Sequence, residues 1–150
     1  MFKLSAGLLV GFRFLIAADT ISTGTDTPDT FSPIIIIAET DGSDSGEVRF
    51  ALFDRSMADS WDDSVLLAEE LPACGRKVVW KTAPVPDGMY ALAVFHDCNG
   101  NDELDKNCLG KPVEPYGFSN NIRHLLGPPD IKEATFRFEA SKRTIVVKLH

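Results

Sequence analysis

The chain has 150 residues, with 22 acidic side chains against 15 Lys and Arg, and its formal net charge at neutral pH is -7. A hydrophobic fraction of 44% and a charged fraction of 25% are typical of globular proteins, which excludes a disordered chain or a collagen-like fibre. The negative charge argues against a nucleic-acid binder, because binding to phosphates needs clustered Lys and Arg. The length predicts a single domain.

The N-terminal residues have the layout of a secretory signal. One cation, Lys3, precedes an apolar stretch that ends in Ala17 and Ala18, small residues that suit a cleavage site. The stretch is shorter than the roughly 20 residues of a membrane span, and Arg13 interrupts it. We therefore predict a signal peptide over residues 1–18 and a secreted or periplasmic protein. An uncleaved anchor or a buried N-terminal strand is the alternative.

The next segment, residues 19–32, consists almost entirely of Thr, Ser, Asp, Gly and Pro. Such a segment cannot bury enough apolar surface to offset the entropy lost on ordering, so we predict a flexible leader. The folded domain is expected to span residues 33–150.

Within that domain, apolar residues alternate with polar ones, which indicates β-strands. The alternation is clearest at Val48, Phe50 and Leu52, which would form one buried face. Further strands are predicted over residues 34–37, 78–82, 89–96, 135–139 and 144–149. The 34–37 and 48–52 runs are expected to pair as a hairpin.

The same pattern predicts the fold class. Both faces of the 89–96 run are apolar, so we expect a central strand that is covered on its outer side. Residues 55–70 do not alternate and predict one short helix or an irregular crossover. Short strands without a sustained helical period predict an all-β protein, an antiparallel Ig-like or transthyretin-like β-sandwich.

One connection, residues 97–132, is far longer than the usual connection of about 4–6 residues. We therefore expect it to cover the sandwich and to be functional. Its oxygen-bearing side chains stand at loop positions one, three, five and nine, and they are Asp97, Asn99, Asn101 and Asp105. This spacing resembles an EF-hand loop, and hard oxygen donors suit Ca²⁺. At position twelve, where an EF-hand loop has a Glu ligand, this chain has Cys108. Asp102 or Glu114 would therefore have to complete the coordination of the ion.

We therefore predict a candidate Ca²⁺ site at those four side chains, with Ca²⁺ as the only cofactor. The alternative is a metal-free loop in which Asp and Asn side chains accept hydrogen bonds from their own backbone in Asx turns.

Cysteines flank the candidate ion site. In an exported protein, Cys98 and Cys108 at this short spacing are more often bridged than free, so we predict a disulfide that holds the loop closed. Two reduced thiols are the alternative. Cys74 has no partner in the sequence and is expected to be buried and inert.

Further along the loop, Tyr116 and Phe118 are large apolar residues on either side of a glycine. We predict that they anchor the loop over the outer face of the 89–96 strand, while Asn120 and its neighbours satisfy buried backbone groups. The rival hypothesis makes Tyr116, Phe118 and Asn120 a platform for a glycan or peptide ligand.

Catalytic motifs are missing from the sequence: there is no G-x-S-x-G elbow, P-loop, dinucleotide fingerprint or H-E-x-x-H. We predict a non-catalytic binding or structural module of the cell envelope, with a protein or glycan as its ligand. A hydrolase or other enzyme that uses His96 and the Asp97 cluster, with His124 in the same loop, is the alternative. For His96 we favour a strand-end imidazole bonded to a carboxylate or carbonyl.

Several segments together resemble one bacterial family, and they read PDGMYALAVFHD (86–97), NGN (99–101), LGKP (109–112), EPYGFSNN (114–121) and GPP (127–129). The family is that of the domain of unknown function 2141, a group of small exported proteins. The resemblance covers residues 47–149 and is most specific over 96–129. It implies a secreted or periplasmic sandwich similar to transthyretin-like and carboxypeptidase regulatory-like modules, and it implies no activity. The family pattern has other residues in place of Cys98 and Cys108.

Overall fold

The computed structural model describes residues 31–124 and 127–150. The predicted signal peptide and residues 19–30 of the predicted leader lie outside these ranges. Within them, the first backbone pairing involves Ser32, whose N–H and C=O both bond to Val85. No helix in the described ranges is long and apolar enough to cross a membrane.

Eight strands and one turn of 3₁₀ helix form the described part of the chain. They are β1 (Ile35–Glu39), β2 (Glu47–Asp54), β3 (Leu67–Pro72), β4 (Lys77–Lys81), β5 (Gly88–Asp97), β6 (Tyr116–Phe118), the 3₁₀ turn (Ser119–Asn121), β7 (Phe136–Phe138) and β8 (Thr144–Lys148).

The strands form two sheets, which confirms the predicted all-β sandwich. The smaller sheet has the order β4-β1-β8 and the larger has the order β3-β2-β5-β6, with β7 also paired to β5. All pairs are antiparallel except β1 with β8, which is parallel, so the sandwich is not purely antiparallel as predicted. Strand β5 lies inside the larger sheet, as its two apolar faces indicated.

The predicted hairpin between the first two runs is wrong, because β1 and β2 lie in different sheets. Strand β1 pairs with β4 and β8, whereas β2 pairs with β3 and β5. Residues 40–46 are long enough to cross the gap of about 10 Å between packed sheets. Each strand thus turns its apolar face to the same core from opposite sides.

Residues 55–70 contain no helix, so of the two predictions for this segment the irregular crossover is the correct one. Asp63 accepts hydrogen bonds from the backbone N–H groups of Asp59 (2.7 Å) and Ser60 (2.8 Å), which closes a compact turn. From Leu67 onward the chain forms the edge strand β3 on β2.

Two apolar clusters stabilise the fold. The main cluster lies between the sheets and includes Ile36, Phe50, Leu52, Trp80, Tyr90 and Leu92. The second lies on the outer face of the larger sheet and includes Phe53, Ala91, Phe118, Ile131 and Ala134, with Trp61 packed against it. The Trp61 indole N–H donates to the Pro129 carbonyl at 2.7 Å, which ties two covering segments together. The outer side of β5 is therefore covered, as its sequence predicted.

The two sheets also meet at one edge, where β6 approaches β8. Tyr116 and His150 exchange backbone hydrogen bonds of 3.3 and 3.1 Å. Asn121 continues this contact with its side chain: Oδ1 accepts from the Lys148 N–H at 2.8 Å, and Nδ2 donates to the Val146 carbonyl at 3.2 Å. Gly117 is required here, since a Cβ at this position would collide with the carbonyl oxygen of Lys148.

Candidate functional site

The polar loop that follows β5, residues 98–115, is built on a buried charge pair. Arg49 of β2 is 2% exposed and Asp97, the last residue of β5, is fully buried. Arg49 Nε donates to Asp97 Oδ2 at 3.0 Å, and Nη1 donates to Glu70 of β3 at 2.7 Å. Arg49 Nη2 also donates to the Asp102 carboxylate. The guanidinium therefore connects β2 to β3, to the end of β5 and to the loop that follows it.

Asp97 organises the loop through its backbone. Its Oδ1 accepts hydrogen bonds from the N–H groups of Gly100 (2.7 Å) and Asn101 (3.3 Å), and its Oδ2 accepts one from Asp102 (2.9 Å). An ionised carboxylate offers about four lone-pair positions. Together with Arg49 Nε these donors fill all of them, so Asp97 is fully occupied as a structural residue.

The same contacts hold Asp97 in its charged form. Burial by itself would raise the pKa of this carboxyl group. The backbone N–H groups of Asp102, Gly100 and Asn101, together with the Arg49 guanidinium, outweigh burial and lower the pKa below its ordinary value. Asp97 is thus a permanent anion at neutral pH.

Glu114 closes the loop from its other end. It is 7% exposed, and its two carboxylate oxygens accept hydrogen bonds from the backbone N–H groups of Cys98 (2.9 Å) and Asp105 (3.0 Å). One side chain therefore bonds to both sides of the polar segment. The sequence suggested Glu114 only as an additional ion ligand, whereas here its oxygens are taken by the backbone.

The other three predicted ion ligands lie together. Nδ2 of Asn99 and of Asn101 donate to the two carboxylate oxygens of Asp105, at 2.6 and 3.0 Å. The amide oxygens of Asn99 and Asn101 accept backbone hydrogen bonds two residues ahead, in Asx turns. The structure thus brings Asn99, Asn101 and Asp105 together and turns Asp97 toward Arg49. Among the described residues, no three His, Cys, Asp or Glu side chains form a group that could hold a metal ion.

The predicted disulfide is not formed in the structure. Cys98, Cys108 and Cys74 are free thiols and all three are exposed, so the expectation of a buried Cys74 is also corrected. Hydrogen bonds to Asp97 and Glu114 close the loop without a covalent link. The pKa of the Cys98 thiol is raised, mainly by burial and further by the carboxylates of Glu114, Asp41 and Asp97. A raised pKa makes this thiol a poor nucleophile.

His96 and Asp97 point to opposite faces of β5, because successive side chains of a strand alternate. His96 is fully buried on the side of the main core, and its Nε2 lies 2.6 Å from the Ser45 carbonyl oxygen. Its Nδ1 is buried and has no hydrogen-bond partner among the described residues. His124 instead contacts Glu133, at 2.7 Å. The structure therefore does not bring the residues of the enzyme hypothesis together.

Tyr116 and Phe118 are part of the larger sheet, as β6, instead of lying across it. Phe118 is 5% exposed and its ring centroid is 4.9 Å from that of Trp61. Tyr116 is half-buried, with its ring centroid 5.8 Å from that of Phe118. Both rings lie on the covered outer side of β5, opposite Phe95 and Ala93.

Asn120 and its neighbour Ser119 bond to backbone groups. Asn120 Nδ2 donates to the carbonyls of Glu133 (3.0 Å) and Thr135 (2.9 Å), and its backbone has a positive φ of 62°. Ser119 Oγ accepts from the Leu92 N–H at 2.9 Å. These are the contacts that the packing hypothesis requires, and they occupy the amide that a ligand platform would need.

Sequence reasoning missed Arg49. The available signal was a lone cation at an outward position of β2, between Val48 and Phe50. Its partner could not be identified from the sequence, because the pairing of β2 with β5 joins segments almost fifty residues apart.

The comparisons with known proteins gave one finding. A family model described as an uncharacterized protein conserved in bacteria (DUF2141) matches residues 39–146, which include the whole larger sheet and the polar loop. No curated protein and no solved structure matched the chain.

Proposed function

We propose that this protein, which belongs to the DUF2141 family, is an exported, non-catalytic binding or structural module of the cell envelope, with a transthyretin-like type of sandwich. The observation that supports a non-catalytic role is the state of His96 and Asp97. Both are fully buried, they face opposite sides of β5, and Asp97 has no unoccupied acceptor position. A general base must reach a substrate proton within hydrogen-bond distance, and neither residue has that access.

The polar loop supports a binding or structural role. Loops on a rigid sheet scaffold are common sites of recognition. Here Asp97, Glu114 and Arg49 fix the loop from within, so its exposed side chains are presented in one arrangement. A preorganised surface loses less conformational entropy on binding than a mobile one.

Export is tested by expressing the full chain in a bacterium and fractionating the cells. The expected result is a shortened protein in the periplasm or medium whose N-terminus lies near residue 19. A full-length protein that stays in the cytoplasm would contradict the proposed export.

Calcium is a second part of the proposal, and the convergence of Asn99 and Asn101 on Asp105 favours it. Carboxylate and amide oxygens are ligands that Ca²⁺ accepts. In this arrangement Asp97 holds the loop backbone, and Asp105 is the carboxylate that faces the two amides. Ion binding would require Asn99 and Asn101 to exchange the backbone hydrogen bonds of their amide oxygens for bonds to the ion.

The calcium proposal is tested by thermal unfolding at increasing Ca²⁺. Ligand binding to the native state alone raises the unfolding midpoint by mass action. We expect an upward shift at millimolar Ca²⁺ that disappears in Asp105→Ala and in the double variant Asp97→Ala, Asp105→Ala. Asp62→Ala, which removes an exposed carboxylate elsewhere, should keep the shift. No shift in the unchanged protein would refute the ion site.

The enzyme alternative is tested with a broad panel of hydrolase substrates and His96→Gln. We expect no turnover above background for either protein. Turnover that His96→Gln abolishes, while the variant keeps its folded circular dichroism spectrum, would overturn the non-catalytic proposal.

A further inference from the structure

A cleft of about 560 Å³ opens beside β6, and its lining is basic although the protein is acidic. The lining includes Lys111, Val113, Tyr116, Arg123, His124 and His150. Its volume is within the range of small-molecule sites, which commonly combine an apolar wall with a few polar groups. The cleft lies beside β6, and its lining contains none of the four side chains of the candidate Ca²⁺ site.

Two cations of this cleft, Lys111 and Arg123, are not paired with an acidic side chain among the described residues. Glu114 also lines the cleft, but its two oxygens accept backbone hydrogen bonds from the polar loop and pair with neither cation. His124 is already paired with Glu133. Among the described residues, the side chains of Lys111, Arg123 and His150 have no ion-pair partner.

The titration of His150 is consistent with this excess of positive charge. Its pKa is lowered below the ordinary value, mainly by burial and further by the positive charges of Arg123 and Lys148. Like charges that lie this close repel each other, and an anion placed among them would relieve the repulsion.

We propose that this cleft binds a small carboxylate-bearing ligand with a ring-shaped body, the class to which uronic acids belong. The Arg123 guanidinium offers the planar pair of donors that fits a carboxylate, and Lys111 adds a second charge. Tyr116 and Val113 provide apolar surface for the body of the ligand. The proposal rests on the binding role proposed above and names its ligand class.

The test is a titration of the full chain with galacturonate, followed through amide and imidazole resonances by NMR. We expect saturable shifts at Lys111, Arg123 and His150, and a rise in the pKa of His150 when the ligand is bound. Galactose, which lacks the carboxylate, should bind at least about tenfold more weakly, because its charge-assisted bonds are absent. Inorganic phosphate should also bind more weakly, because it keeps the charge but has no ring to contact Tyr116 and Val113.

Variants separate this site from a general attraction of anions. Arg123→Gln should weaken galacturonate binding by about tenfold or more, since a hydrogen bond to a charged group is lost. It should also raise the pKa of His150 in the free protein. Lys81 is an exposed cation at the end of β4. Lys81→Gln should therefore leave both galacturonate binding and the pKa of His150 unchanged.

Three results would overturn the proposal: no shifts at the cleft, equal binding of galactose or phosphate, or full binding by Arg123→Gln. Chemical conversion of galacturonate in the same samples would instead contradict the non-catalytic function. The experiment therefore distinguishes a wrong ligand class from a wrong proposed function.

Discussion

At the scale of single residues, the polar loop depends on a charge pair that is out of contact with water. Moving two charges into a protein interior costs several kcal/mol each, and good geometry with additional hydrogen bonds is needed to offset this cost. Asp97 meets this condition with four donors, and Arg49 meets it with carboxylates on three segments. The same arrangement makes the loss of either partner expensive, because the other charge is left buried.

The first prediction concerns Asp97→Ala, which removes the acceptor of Arg49 Nε and of three loop N–H groups. We expect the free energy of unfolding to fall by about 3–5 kcal/mol, the usual loss when one partner of a buried pair is removed. Urea unfolding measures this change. Asp62→Ala, at an exposed position, should alter stability by no more than about 0.5 kcal/mol. A loss below about 1 kcal/mol for Asp97→Ala would refute the structural role.

The second prediction is the effect of acid. The pKa of Asp97 is lower in the folded protein than its ordinary value of 3.8. A lowered folded-state pKa means that the unfolded chain takes up the proton first, so this stabilisation is present above pH 3.8 and is lost as the pH falls through the folded-state value. Urea unfolding between pH 5 and 2 should show a fall in stability that is shallower in Asp97→Asn. Parallel curves for the two proteins would contradict the lowered pKa.

At the scale of secondary-structure elements, the contact of β6 with β8 joins the two sheets. It combines the backbone bonds of Tyr116 with His150 and the side-chain bonds of Asn121 to β8. Gly117 makes this approach possible, because the carbonyl of Lys148 and a methyl group of Val147 occupy the space where a Cβ would lie. β6 itself begins immediately after the polar loop, so this contact also fixes the end of the loop.

The third prediction tests this contact with Gly117→Ala. The added methyl group forces β6 away from β8, and overpacking of this kind costs about 1–3 kcal/mol or more. Gly75→Ala is the control: its Cβ meets nothing within 4 Å, so only the strain of its positive φ of 65°, about 1–2 kcal/mol, should appear. Thermal and urea unfolding should rank Gly117→Ala as the less stable variant. The opposite order would show that β6 and β8 do not approach this closely.

At the scale of the whole molecule, the sequence was sufficient for most strands but not for their partners. Alternation is a local property, so Val48, Phe50 and Leu52 identified β2 without any knowledge of its neighbours. Which strand lies beside β1 depends on contacts between distant segments, and local pattern cannot distinguish a hairpin from a crossing between sheets. β3 was not predicted for a different, local reason: its acidic run LAEELP lacks a clear alternation.

The candidate site was also predicted only in part, because contacts between distant segments leave no local pattern in the sequence. The sequence drew attention to the 97–105 segment, because Asp and Asn concentrate there. The role of Asp97 depends on Arg49, which reaches it only through the register of β2 with β5. The role of Glu114 depends on a loop closure that leaves no periodic pattern. Spacing alone therefore indicated oxygen ligands, while the structure shows these oxygens bonded to backbone N–H groups, to Arg49 and, for Asp105, to the amides of Asn99 and Asn101.

Asp97 and Glu114 make the polar loop a rigid part of the sandwich. Amide hydrogen exchange followed by NMR tests this rigidity most directly. We expect the N–H groups of Cys98, Asp102 and Asp105 to be protected in the native protein, because each donates to one of these buried carboxylates. Asp97→Ala should remove the protection of Asp102 and leave that of Val94, inside β5, in place. Exchange of all three loop amides at the rate of an unstructured peptide would contradict this rigidity.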